Sequence, residues 1–162
     1  MATLNLVAID LGAESGRAVV GQFEGTRLSL HEVHRFPNRA VQAAGHLHWD
    51  VLRLFEEIQN GLAQAARQCG PIASLGIDTW GVDYGLLDRN GALIGNPFHY
   101  RDHRTDGVMD KLLAVAPRAE VFDATGIQFM QLNTLFQLYA MKLEQSPALD
   151  AADRLLMMPD LL

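Results

Sequence analysis

The chain has 162 residues, of which 49% are hydrophobic, and its formal net charge is −6 at pH 7. This length suffices for one domain with a hydrophobic core, and the apolar content argues against disorder. The acidic balance argues against an electrostatic nucleic-acid binder, which needs clustered Lys and Arg. Because Cys69 is the only cysteine, no internal disulfide can form, and a reducing compartment is expected.

The N-terminus, MATLNLVAID, has no basic segment before its first apolar run, so we expect no signal peptide. No apolar run approaches the roughly 20 residues needed to cross a bilayer. The sequence therefore predicts a cytoplasmic protein that binds neither membranes nor nucleic acid.

The first forty residues predict three consecutive antiparallel strands. The apolar run at residues 6–9 fits a buried strand, and Asp10 follows it directly. A turn of small residues comes next, and two more strands are predicted at residues 17–24 and 28–36. Residues 37–46 are predicted to form a loop that leads through Leu47, His48 and Trp49 into a helix.

That helix has Asp50 as a plausible N-cap and ends at Gly70 and Pro71. Its apolar stripe consists of Val51, Leu54, Phe55, Ile58, Leu62, Ala65 and Cys69. Trp49 and Phe55 are expected to lie in the core. A buried strand is predicted at residues 72–77, followed by a hairpin, residues 84–88 with 92–94, around Asn90-Gly91.

The second half is predicted to be mostly helical, with helices at residues 105–116, 132–144 and 148–153. A short turn at residues 119–124 closes at Gly126, and a last strand is expected at residues 155–158. The predicted helix at residues 132–144 carries its apolar stripe on Leu135, Leu138, Tyr139 and Leu143.

The order βββ-α-β, with a carboxylate ending the first strand, predicts an α/β fold of the ribonuclease H-like, actin-like ATPase type with a mixed sheet flanked by helices. The chain stops just after a predicted strand, with no helix beyond it. We therefore expect residues 1–162 to be the front of a longer protein.

The turn after the first strand favours a polyphosphate and its metal. Backbone N–H groups and the Ser15 hydroxyl can bind phosphate oxygens, and Asp10 can hold Mg²⁺. Neither the GxxxxGK[ST] loop nor the GxGxxG fingerprint is present. From these residues alone, a hairpin in which Asp10 and Ser15 only satisfy turn amides is equally compatible.

Six motifs carry a more specific signal, and they follow one another along the whole chain. They are AIDLGAESGR (8–17), HRFPN (34–38), SLGIDTWGVDYGLLD (74–88), YRDHRT (100–105), TGIQFMQLNTLFQL (125–138) and LLMMPDLL (155–162). In this order and spacing the chain resembles the FGGY carbohydrate kinases, and within them the rhamnulokinase group. His103 departs from the usual pattern, since the family often has a smaller residue there.

The resemblance implies an ATP- and Mg²⁺-dependent kinase that phosphorylates the 1-hydroxyl of L-rhamnulose, with ATP bound between two actin-like domains. Asp10 takes the metal role, and the residues along the ATP phosphates are Ala13, Glu14, Ser15, Gly16 and Arg17. Gly81 is implied as a backbone contact to the sugar, and further sugar-pocket candidates by position are Trp80, Tyr100 and Asp102.

The same resemblance implies that residues 1–162 form the N-terminal part of the first kinase domain, and that the catalytic base and the adenosine-binding loops lie beyond Leu162. The chain alone is then expected to show little or no kinase activity. The full-length protein is expected to be a monomer, and the 162-residue chain to be prone to self-association.

Three alternatives stay open. The chain could belong to another ketose kinase of the L-fuculokinase or xylulokinase type, or be a non-catalytic sugar-binding module. A ribonuclease H-like nuclease is the more distant alternative, because Asp10 and Asp78 are expected to end neighbouring strands. The pairs His46-x-His48 and His99-x-x-x-His103 lack a partnering Cys or a HExxH frame, so surface histidines are favoured over a metal site.

Overall fold

A computed structural model describes residues 3–162 of the chain. The elements in chain order are β1 (Leu4–Leu11), β2 (Ser15–Phe23), β3 (Leu28–Pro37), β4 (Ala40–Ala43), β5 (His46–Trp49), α1 (Val51–Cys69), β6 (Ile72–Thr79), β7 (Tyr84–Leu87), a 3₁₀ turn (His103–Thr105), α2 (Val108–Leu113), α3 (Arg118–Thr125), α4 (Thr134–Leu143), α5 (Pro147–Ala151), β8 (Arg154–Met157) and α6 (Met158–Leu161). The chain forms two compact units. The first contains residues 3–40, 50–81 and 158–162, and the second contains residues 41–49 and 82–157.

The first unit is built on a four-stranded sheet with the order β3-β2-β1-β6. The strands β1, β2 and β3 form an antiparallel meander, and β6 pairs with β1 in parallel. Alternation along β1 and β2 buries Val7, Ile9, Ala18 and Val20, because successive side chains of a strand point to opposite faces. The predicted βββ-α-β order and the mixed sheet are confirmed.

Helix α1 packs on this sheet through Leu54, Ile58 and Ala65. It begins as predicted, with the Asp50 carboxylate accepting from the Arg53 N–H, and it ends at Gly70. Phe55 is exposed, so its expected core position is wrong. Its place on the helix lies outside the face that Leu54, Ile58 and Ala65 define.

Strand β6 was expected to be buried, and this is wrong for the described residues. Within residues 3–162, β6 pairs with β1 only, and Leu75 on it is 46% exposed. The strand therefore lies at a sheet edge with Leu75 exposed and with Ile72 and Ile77 half-buried. A sheet edge is the position where strands are prone to pair with other chains.

The second unit holds the two-stranded pairs β4-β5 and β7-β8. The predicted loop at residues 37–46 is wrong in part, because β4 occupies residues 40–43 and β5 begins at His46. Residues 47–49 lead into helix α1 as predicted, and they do so as the last residues of β5. The hairpin around Asn90-Gly91 is confirmed by the Asp88 N–H donating to the Ala92 carbonyl at 2.9 Å and by a bridge between Leu87 and Leu93.

The helical half of the second unit also departs from prediction in several places. The segment 105–116 forms only the short helix α2, and residues 119–124 form a helix, α3, instead of a turn. Gly126 ends α3 in the left-handed conformation, with a φ of 63°. The last strand is confirmed as β8, and the single-turn helix α6 follows it.

Helix α4 buries a different face from the one predicted. Its buried residues are Phe136, Gln137, Ala140 and Met141, whereas Leu135 and Leu143 are exposed. Phe136 and Ala140 form a core cluster with Val108 and Leu112 of α2. Of the predicted stripe, Leu135 and Leu143 therefore lie on the wrong face, whereas Leu138 is half-buried and Tyr139 packs against this cluster.

Candidate functional site

The turn between β1 and β2, residues 12–14, is short and internally hydrogen-bonded. The Gly12 N–H donates to the Ser15 carbonyl at 2.9 Å. Ala13 and Ser15 are half-buried, and Glu14 and Arg17 are exposed. Gly16 is buried, and it is paired with Leu11 of β1 near the start of β2. Of the five residues predicted to lie along ATP phosphates, four are thus at least partly exposed between the turn and β2, and Gly16 is buried among them.

Asp10 and Arg17 lie opposite each other on β1 and β2. Arg17 Nε donates to Asp10 Oδ2 at 2.6 Å, and Arg17 Nη2 contacts the same oxygen. The two side chains are 40% and 45% exposed. An ion pair this exposed contributes about 0–1 kcal/mol, so both groups are available to a metal ion and a phosphate.

Asn38, to which the sequence assigned no role, holds the β1–β2 turn in place. Its buried side-chain amide donates to the Gly12 carbonyl at 2.8 Å, and its backbone N–H donates to the Glu14 carbonyl at 2.9 Å. The only available signal was an asparagine directly after the proline that ends β3, a pattern typical of turns.

Trp80 and Gly81, which are predicted to contact the sugar, lie beside the β1–β2 turn. In the parallel pairing of β1 with β6, Asp10 is opposite Asp78 and Leu11 is opposite Thr79. Trp80 and Gly81 follow Thr79 directly, and open space surrounds the position that a Gly81 side chain would take. Because parallel strands end at the same edge, the β1–β2 turn and Trp80-Gly81 lie at one edge of one sheet.

The other two sugar-pocket candidates, Tyr100 and Asp102, belong to the second unit. The Asp102 carboxylate is 1% exposed and accepts from the Leu47 N–H at 2.6 Å and the Arg104 N–H at 3.0 Å. Burial raises the pKa of Asp102, but these two bonds and the His46 ring outweigh it, so its pKa lies below the ordinary range. The assignment of Asp102 to the sugar stays a prediction.

A buried polar network, which sequence reasoning missed, runs through the second unit. Gln137 Nε2 donates to Asp83 Oδ1 at 2.8 Å, and Gln137 Oε1 accepts from Arg104 Nη2 at 2.8 Å. Trp49 Nε1 donates to the other Asp83 oxygen at 2.6 Å. The Gln137 amide thus bridges the buried carboxyl of Asp83 and the buried guanidinium of Arg104. The same guanidinium lies over the Phe98 ring, with its carbon 3.9 Å from the ring centroid.

His99 stacks on Trp49 with ring centroids 4.0 Å apart, and its Nδ1 accepts from the Arg101 N–H at 3.0 Å. Burial, followed by the charge of Arg101, lowers the pKa of His99 from 6.5 to about 4, against a smaller opposing effect of Asp102. Protonation of His99 Nδ1 would also remove the lone pair that accepts the Arg101 N–H, so this hydrogen bond would be lost. His99 is therefore neutral in the folded protein at neutral pH.

We expect the free energy of unfolding to fall as the pH drops from 6.5 to about 4, by up to about 3 kcal/mol from His99 alone. The sign follows because the unfolded chain binds a proton in this window and the folded chain does not. Urea unfolding at several pH values should show a flatter profile for His99→Phe, which retains a ring on Trp49. The exposed-site variant His31→Gln should keep the steep profile, and a His99→Phe profile as steep as wild type would contradict the assignment.

None of the helices within residues 3–162 combines the length and the hydrophobicity of a membrane span.

Comparison with known proteins identifies the family to which the chain belongs. Residues 5–162 match the model of the FGGY family of carbohydrate kinases, N-terminal domain. A rhamnulokinase of Bacteroides thetaiotaomicron is 45% identical over 158 residues, which are 98% of this chain and 33% of that protein. A rhamnulokinase of Mannheimia succiniciproducens is 46% identical over 164 residues, covering 100% of this chain and 34% of that protein.

Solved structures give the same fold. A gluconate kinase from Lactobacillus acidophilus superposes with a TM-score of 0.81 at 13% identity, over 96% of this chain and 31% of that one. A carbohydrate kinase from Novosphingobium aromaticivorans has a TM-score of 0.80 at 19% identity, over 98% and 32% of the two chains. The chain thus spans about a third of the length of the relatives it matches. It belongs to the FGGY family of carbohydrate kinases, whose N-terminal domain its residues 5–162 match.

Proposed function

We propose that this chain carries the phosphate- and sugar-binding edge of an ATP-dependent rhamnulokinase, which transfers the γ-phosphoryl group of ATP to the 1-hydroxyl of L-rhamnulose. The observation that carries the proposal is the β1–β6 register, which brings the β1–β2 turn and Trp80-Gly81 to one sheet edge. The choice of sugar is supported by relatives of about 45% identity that are named rhamnulokinase. The solved structures, at 13–19% identity, support only the fold.

Asp10 is the proposed Mg²⁺ ligand, since its carboxylate is exposed at the end of β1. When bound, the ion would neutralise charge on the phosphoryl group that is transferred. Ala13, Glu14, Ser15 and Gly16 offer backbone to the phosphates, and Arg17 offers a guanidinium once it leaves Asp10. Glu14 is exposed, so its carboxylate can turn away from the phosphates.

The proposed sugar contacts begin at Trp80 and Gly81. A glycine with open space around it lets a hydroxylated carbon approach the backbone, and an indole offers its face to C–H groups. Tyr100, half-buried beside His99, and Asp102 are the further proposed contacts. Because both Asp102 oxygens already accept backbone N–H groups, its contribution to sugar binding would be mainly to fix the local backbone.

The remaining catalytic parts are proposed to lie outside this sequence, since the relatives are about three times as long. They comprise the base that accepts the proton of the sugar hydroxyl and the loops that bind adenosine. We further propose that residues 1–162 are the N-terminal part of the first kinase domain, in a cytoplasmic protein that is monomeric when complete.

Calorimetric titration of the purified chain with L-rhamnulose, L-fuculose and D-xylulose tests the sugar assignment. We expect saturable binding with preference for L-rhamnulose, and at least tenfold weaker binding by Trp80→Ala. Phe122→Ala, at an exposed aromatic residue of α3 in the second unit, is the matched control and should bind like wild type. A preference for D-xylulose or L-fuculose would assign another ketose kinase and contradict the proposal.

A chimera tests the reaction itself. In it, this chain replaces the matching third of the Bacteroides thetaiotaomicron rhamnulokinase. The folded chimera is expected to phosphorylate L-rhamnulose with ATP, whereas the 162-residue chain alone should not. A chimera with native-like unfolding but no activity would contradict the proposed function, and activity of the chain alone would contradict the location of the base.

A further inference from the structure

Three potential metal ligands meet in the second unit, apart from the proposed Mg²⁺ ligand. His46 lies on β5, Asp102 precedes the 3₁₀ turn, and His103 begins it. One ligand atom from each of the three side chains lies within 4.8 Å of the others. We propose that His46, Asp102 and His103 form a binding site for a first-row transition-metal ion, with Zn²⁺ as the best-fitting ion.

The carboxylate at the centre of this site is held in a fixed position. Asp102 is buried, and one of its oxygens accepts from the Leu47 N–H while the other accepts from the Arg104 N–H. Each carboxylate oxygen has a second lone pair. That of Oδ1 lies within hydrogen-bond distance of His46 Nδ1 at 3.0 Å, a contact that a bound metal would replace. Metal-binding side chains in proteins are usually oriented in this way by hydrogen bonds from neighbouring groups.

His46 is the second ligand and already lies close to the carboxylate. Its Nδ1 is 3.0 Å from Asp102 Oδ1, and its ring packs edge-on against Phe98 with centroids 5.4 Å apart. A nitrogen and an oxygen bound to one Zn²⁺ at about 2.0–2.2 Å from the ion are themselves about 3–3.5 Å apart. The observed separation is therefore close to the one that coordination requires.

His103 completes the set after a small movement. Its Nδ1 is 3.8 Å from Asp102 Oδ2, its side chain is 67% exposed, and its ring is parallel to that of His46 at 5.2 Å. Because the ring faces solvent, it can turn towards the ion without disturbing the core. The solvent side of the site then leaves room for a water ligand.

The ligand types select the ion. Two imidazoles and one carboxylate suit Zn²⁺, Co²⁺, Ni²⁺ or Cu²⁺, whereas Mg²⁺ and Ca²⁺ prefer oxygen ligands throughout. This site therefore differs in chemistry from the proposed Mg²⁺ position at Asp10. The sequence patterns His46-x-His48 and His99-x-x-x-His103 do not predict it, because the fold joins one histidine from each pair with Asp102, which is 56 residues from His46.

Calorimetry with ZnCl₂ on the full chain tests the proposal without any kinase assay. We expect one ion per chain, at least tenfold weaker binding by both His46→Ala and His103→Ala, and no saturable binding of MgCl₂ at these residues. His31→Ala removes an exposed histidine of β3 and should bind Zn²⁺ like wild type. Binding of Co²⁺ should give a visible d–d spectrum that His103→Ala alters.

Urea unfolding of the metal-free variants shows whether weaker Zn²⁺ binding comes from the missing ligand or from a misfolded chain. His103→Ala should unfold at the wild-type midpoint. Three outcomes would overturn the proposal. One is the absence of saturable Zn²⁺ binding, and another is undiminished binding by a folded His103→Ala. The third is binding that survives His103→Ala but is lost in His48→Ala, which would place the ion on the two strand histidines.

Discussion

Replacing Gly16 with alanine is expected to lower the free energy of unfolding by about 2–3 kcal/mol. A Cβ on Gly16 would collide with the Phe36 ring and would lie 2.8 Å from Leu11 Cδ2. Phe36 and Leu11 are both buried, so neither can move without disturbing neighbours. Gly16 pairs with Leu11 on β1 and with Phe36 on β3, and the strain would spread from the β1–β2 turn into the sheet.

Gly76→Ala is the matched control for this substitution. Gly76 also lies in a strand of the same sheet, but apart from its two chain neighbours no residue comes within 4 Å of the position its Cβ would take. We expect a change below about 0.5 kcal/mol, or a slight gain from reduced freedom of the unfolded chain. Urea unfolding of the two variants measures the difference. Equal effects would mean that Gly16 is not needed for close packing.

The first unit could be predicted from the sequence because its signals are local. Alternating or continuous apolar runs indicated β1, β2 and β3, and Asp50 with Gly70 bounded α1. Asp10 next to a turn of small residues indicated where a metal and phosphates could bind. These features depend on spacing within one element, which the sequence contains.

The errors occur where the outcome depends on distant residues. Helix α4 carries apolar residues on two faces, and packing against Val108 and Leu112 of α2 decides that Phe136 and Ala140 are the buried ones. The exposure of β6 depends on which strands pair with it. Neither choice can be made from the periodicity of a single segment.

The polar contacts of both sites also join residues that are far apart along the chain. Asn38 holds the Gly12 carbonyl across 26 residues, and Asp102 binds the Leu47 N–H across 55. A sequence pattern shows the residue types at these positions but not which turn or strand they will meet. The site residues proposed at the β1–β2 turn therefore need direct measurement.

Asp10→Asn is expected to abolish the Mg²⁺-dependent part of nucleotide binding, with at least a tenfold loss of affinity for Mg-ATP. The substitution removes the charge that would hold the ion but retains the size of the side chain. It also weakens the exposed pair with Arg17, whose contribution to stability is about 0–1 kcal/mol, so folding should be nearly unchanged. Glu24→Gln is the control, because Glu24 is exposed and follows the last residue of β2, at the end far from the β1–β2 turn.

Amide NMR of the ¹⁵N-labelled chain, titrated with ATP to millimolar concentration with and without Mg²⁺, tests the central claim most directly. The account predicts Mg²⁺-dependent shifts concentrated at residues 12–17, lost in Asp10→Asn and retained in Glu24→Gln. Shifts that do not depend on Mg²⁺, that survive Asp10→Asn, or that leave residues 12–17 unaffected would contradict it.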